Sequence, residues 1–199
     1  MTPLARALFA AAAIAVTLAA AASATESTIY PGVAIGKVKL GMTATQVKKA
    51  LGRDYLLNTS KTVNGKRYVE YGWDYTRWTV TFVQQGRKLR VVQVGTSVRT
   101  QRTRQGIGPG STWRSLVRAY PNGICAQNNH PPGGGAVEYL VQHPSGTQTI
   151  YWLPGPRDYG AVWHVVDVRV RTRWEVLPWF APAGRAECRS DWRTADAPI

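Results

Sequence analysis

"KLGMTATQVKKALG", Lys39 to Gly52, reads as a glycine-ended strand, a threonine cap and a short helix with Val47, Ala50 and Leu51 on one face. A second stretch of the same form, "GPGSTWRSLVRAYP", occupies residues 108 to 121. Setting residue n against n+69 pairs Gly41 with Gly110, Thr43 with Thr112, Val47 with Leu116 and Ala50 with Ala119. Further on, "VEY" at 69–71 meets "VEY" at 137–139, "WTVTF" at 78–82 meets "TQTIY" at 147–151, and "VVQV" at 91–94 meets "VVDV" at 165–168. Blocks kept in one order with small gaps imply an internal duplication.

The strands follow from a period of two. In "YVEYGW", Val69, Tyr71 and Trp73 share one side, with Glu70 and Gly72 on the other; in "RWTVTFV", Trp78, Val80 and Phe82 oppose Thr79 and Thr81. "QQGR" at 84–87 is a turn, and "NGICAQNNHPPGGG" at 123–136 reads as a long Gly/Pro/Asn loop. The expected fold is therefore α+β: two tandem units, each a helix covering a three-stranded antiparallel meander. The first unit is placed at 25–104 and the second at 105–180. The tail, 181–199, is drawn back onto the second unit by a disulfide.

The N-terminus, "MTPLARALFAAAAIAVTLAAAASA", has one cation, Arg6, an uncharged apolar run and the small triplet Ala22-Ser23-Ala24. That is the pattern of a secretory signal peptide over 1–24, cleaved after Ala24. The run falls short of the roughly 18 to 20 residues that a spanning helix needs. Export to a secreted or periplasm-like location is the expectation, with no transmembrane segment in the mature chain. Two cysteines, Cys125 and Cys188, bound for an oxidising compartment then suggest a bridge, worth roughly 4 kcal/mol on the chain-entropy model.

The chain's 25 Lys and Arg against 11 Asp and Glu give a net charge of +14, which speaks to partners and solubility rather than to fold. "HVVDVRVRTRW" sets Val166, Val168 and Val170 one way and Asp167, Arg169, Arg171 and Arg173 the other. Successive arginines on that strand face stand about 7 Å apart. Trp152, which alternates with Tyr151 and Leu153, should share the face. Trp152, Arg169, Arg171 and Arg173 are thus the candidate binding residues, suited to pairing carboxylates or phosphates.

No catalytic constellation emerges. His130, His143 and His164 form no metal-ligand spacing, so no metal or cofactor is expected, and no GxSxG elbow is present. Glu70 and Glu138 hold equivalent places in the two blocks, which leaves open a hydrolase with paired carboxylates. The function expected is an exported, non-catalytic and monomeric binding or inhibitory module for a protein or an anionic envelope partner. The alternatives are that hydrolase, or a polyanion binder without specific nucleic-acid recognition.

"VKLGMTATQVKKALG" resembles the helix-opening signature of the SmpA/OmlA small outer-membrane lipoproteins, through Gly41, Met42, Thr43, Val47, Leu51 and Gly52. The tandem arrangement is similar to that of the beta-lactamase inhibitory proteins, and the 102–121 joint to that of uncharacterised secreted proteins of actinobacterial type. The resemblance implies a doubled helix-plus-sheet fold with one concave face, and an inhibitory or binding role. The chain has no cysteine at the cleavage point, so the lipoproteins' lipid tether is not implied.

Overall fold

A computed structural model describes residues 28–73, 77–128, 136–153 and 164–172. The leader at 1–24, His130, Arg173, Cys188 and the tail at 181–199 lie outside the described residues. Three two-residue strands, β1 (Ile29–Tyr30), β2 (Ala34–Ile35) and β3 (Val38–Lys39), make a small antiparallel sheet ahead of helix α1 (Ala44–Leu51). Four strands follow: β4 (Leu56–Val63), β5 (Lys66–Trp73), β6 (Trp78–Gln85) and β7 (Lys88–Thr96). Helix α2 (Trp113–Ala119) then precedes β8 (Ile124–Asn128), β9 (Ala136–Gln142), β10 (Thr147–Leu153) and β11 (Asp167–Thr172). These eight longer strands form one antiparallel sheet in the order β4-β5-β6-β7-β11-β10-β9-β8.

This overturns the expected α+β class of two helix-plus-three-strand units. Among the described residues the protein is mostly β, 51% strand against 13% helix, and its large sheet is continuous. The join is physical: β7 and β11 pair antiparallel, with Val94 opposite Val170, so neither meander ends in an edge there. Each meander also has a fourth strand. β4, "LLNTSKTV", is an edge strand with Leu56 exposed, and β8 lies inside the stretch read as a loop. Edge strands need no apolar alternation, so the period-two signal is missing from both.

The helices start where the sequence places them. Thr43 Oγ1 accepts from the Gln46 backbone N–H, and the Gln46 side chain accepts from the Thr43 N–H at 2.8 Å, a reciprocal capping box. Thr112 caps α2 by accepting from Ser115 N–H at 3.2 Å. Just upstream, Gly41 N–H donates to Val91 C=O and Val91 N–H to Met42 C=O; Gly110 N–H donates to Val165 C=O and Val165 N–H to Ser111 C=O. Gly41 and Gly110 carry φ of 80° and 90°, a left-handed backbone that glycine adopts without a Cβ penalty.

Both helices lie on one face of the sheet. Val47 and Leu116, each fully buried, enter a core with Trp73, Val80, Phe82, Val94, Tyr139, Tyr151, Leu153, Val168 and Val170. Aromatic pairs set the seams: Tyr55 stands 4.8 Å from Tyr71, Trp113 meets Tyr139 edge-on at 5.3 Å, and Tyr120 stacks on Tyr151 at 5.5 Å. The small sheet adds Ile29, Ile35 and Val38 to the same core, and Gly32 N–H donates to Thr149 Oγ1 at 2.9 Å. Two-residue strands have no periodicity to read, so the sequence did not announce them.

Candidate binding face

The opposite face of the sheet is built by the alternate residues, and cross-strand register arranges them in rows. One row runs Glu70, Thr81, Gln93, Arg171, Gln148 and Gln142 across β5, β6, β7, β11, β10 and β9. The next runs Gly72, Thr79, Gly95, Arg169, Ile150 and Leu140. A third sets Asp167 beside Trp152 and Trp152 beside Glu138. Trp152, Arg169 and Arg171 therefore share one face, and Glu70 and Glu138 share it with them. Beyond Glu70, Tyr68, Val83 and Val92 form a small apolar cluster of their own.

The arginines do not stand out as a solvated basic ladder. Arg169 Nε donates to Asp167 Oδ1 at 2.6 Å, and the two side chains are only 23% and 16% exposed. Arg171 Nε donates to Gln148 Oε1 at 3.0 Å. Thr81, fully buried, donates to Glu70 Oε2 at 3.1 Å. Gly95 makes room for the central arginine: a Cβ there would stand 2.7 Å from Thr79 Oγ1 and 3.2 Å from Arg169 Cγ. Strand periodicity correctly separates these residues from the apolar side, but it cannot show that Glu138 and Glu70, from other strands, add to the counter-charge of Asp167.

The electrostatics follow from that packing. Burial pulls the Arg169 guanidinium down, but the carboxylates of Asp167, Glu138 and Glu70 more than offset it, and the net shift is upward. Arg171 is lowered by burial and by its neighbour Arg169, with Glu138 opposing. Charges of both signs from both halves of the sheet thus act on one another across β7 and β11. Gln93, 1% exposed, completes the row with an Oε1 that has no hydrogen-bond partner among the described residues.

Gln93, Gln148, Thr81 and Asp167 were absent from the candidate residues. Their signal was a polar residue inside an apolar alternation, already visible in "VVQV" and "VVDV". The remaining candidates disperse. His143 lies at the end of β9, its Nε2 2.8 Å from Thr149 Oγ1, and burial lowers its pKa. His164 makes an isolated bridge to Thr112, and Cys125 is buried on β8. Among the described residues no group of three His, Cys, Asp or Glu side chains is placed to hold a metal, and no helix is long and apolar enough to cross a membrane. No protein-family model, curated protein or solved structure matches the chain.

Proposed function

We propose that the chain is an exported, non-catalytic binding or inhibitory module, with Cys125 and Cys188 bridged, whose polar sheet face recognises a protein. The observation that carries this reading is the Arg169 network. Asp167 pairs directly with the Arg169 guanidinium and the carboxylates of Glu138 and Glu70 act on it from other strands, so both signs of charge meet beside the half-buried ring of Trp152, with Glu138 itself buried. A face of that composition suits a protein surface with complementary donors and acceptors better than a uniformly anionic polymer. Trp152 supplies a stiff anchor with little rotamer entropy to lose, and Arg171 supplies directional donors.

The test is capture from secreted and envelope fractions. The full chain carrying a photo-crosslinker at position 142, exposed on the same face, is expected to label a discrete protein, and the same chain with Trp152→Ala/Arg171→Ser is expected to lose it. If the variant captures as much as the original chain, the face has no partner. The competing hydrolase reading draws on Glu70 and Glu138 sharing this face. Turnover separates the two: a hydrolase would cleave an envelope polymer and lose that activity in a Glu70→Gln/Glu138→Gln variant, whereas a binding module captures its partner without turnover.

A further inference from the structure

A second surface lies at one end of the sheet. β5 and β6 are neighbours, with Tyr68 opposite Val83, so the Asn64–Gly65 turn and the Gly86–Arg87 turn stand side by side at that end. Register places Lys61 opposite Tyr68, Lys66 opposite Val63 and Lys88 opposite Gln85. Lys61, Lys66, Arg67, Arg87 and Lys88 are all exposed. Lys66 and Lys88 stand two strands apart, about 10 Å at the spacing of a sheet.

The cations are held on stiff supports. Asn64 and Gly65 have φ of 48° and 73°, the two left-handed positions of a tight hairpin turn, and Arg67 Nε donates to Ser60 Oγ at 3.3 Å. Neither tip, 59–68 or 82–90, contains an Asp or Glu. Along β5 the first carboxylate is Glu70, which accepts from Thr81, and 78–96 contains none. Among the described residues the large exposed apolar side chains are Tyr30, Val33 and Leu56, and none belongs to these tips. No ring is available there to stack on a base, and no large apolar chain to enter a bilayer.

We propose that these two hairpin tips form a binding edge for a linear phosphate polymer, separate from the sheet face. Attraction there is electrostatic and independent of monomer sequence, because phosphates are met by Lys and Arg and by nothing that reads a base or a lipid tail.

Titration of the full chain with inorganic polyphosphate at rising salt tests this. Five contacts predict that affinity falls about a hundredfold over a fourfold rise in salt. The variant Lys66→Glu/Arg67→Glu/Arg87→Glu/Lys88→Glu should lose about a hundredfold at low salt, and the matching Gln variant about tenfold or more. A charge-matched variant elsewhere, Lys37→Glu/Lys49→Glu/Arg99→Glu/Arg104→Glu, should lose much less. Circular dichroism melts confirm that each variant is folded. Equal losses in the two Glu variants would overturn the proposal, because net charge alone would then explain binding. So would an affinity indifferent to salt, or tighter binding to phosphatidylglycerol vesicles than to polyphosphate.

Discussion

At matching places on the polar face the first half of the sheet carries Glu70, Thr81 and Gln93, and the second carries Glu138, Trp152 and Asp167. The glutamates correspond, but the rest diverges. In the first half a hydroxyl satisfies the carboxylate and the third position is a neutral amide; in the second, an aromatic ring separates two acids, one of which grips Arg169. The frame that holds both rows is the same: a left-handed glycine, a threonine cap and an antiparallel run of four strands. Chemical variety therefore sits on the face opposite the helices, although Thr81, Gln93 and Glu138 are buried there too.

That contrast can be broken most forcefully from the helix side. Leu116→Ala and Val47→Ala both empty a fully buried position under a helix, with expected losses of about 3 and about 2 kcal/mol in urea unfolding. Comparable losses would show that the two helices share one core; a loss at only one would separate the halves. The polar face should respond unevenly. Asp167→Asn strips Arg169 of its closest counter-charge and should cost about 2 kcal/mol, whereas Gln93→Leu removes an acceptor that has no partner and should stay within about 1 kcal/mol of the original chain. Equal costs would mean that the rows are energetically alike.

The smallest effect is that of pH. Burial lowers the His143 pKa, so the folded chain holds the ring neutral while the unfolded chain takes up a proton below about 6.5. The stabilisation is fully present above that value and is lost as pH falls towards the lower folded pKa. Thermal melts from neutral pH down to pH 5 should show this decline, and His143→Gln should flatten it. An unchanged slope in the variant would show that His143 does not carry the decline.

The helices, the central strands and the two-sided pattern of β11 were legible because each rests on local spacing: a cap followed by apolar residues at helical intervals, or alternation at period two. The alternation in β11 correctly grouped Arg169 and Arg171 with Trp152. It also set Asp167 beside Arg169, but it could not reveal that Glu138 and Glu70 act on Arg169 as well, since that depends on which strands come together. "TQTIY" was matched to "WTVTF" two residues out of step. Cross-strand partners put Trp152, rather than Ile150, at the place of Thr81, because each partners its half's glutamate. β4 and β8 went unread because an edge strand buries too little to require a pattern.

By itself, the sequence determined the helix starts and the apolar side of each inner strand. Both are decided within a few residues by sterics and burial. The pairing of β7 with β11, the action of Glu70 and Glu138 on Arg169 from other strands and the adjacency of the two basic turns were decided only by tertiary structure. Each joins residues far apart in the chain, and no local rule of spacing or charge carries information over that separation.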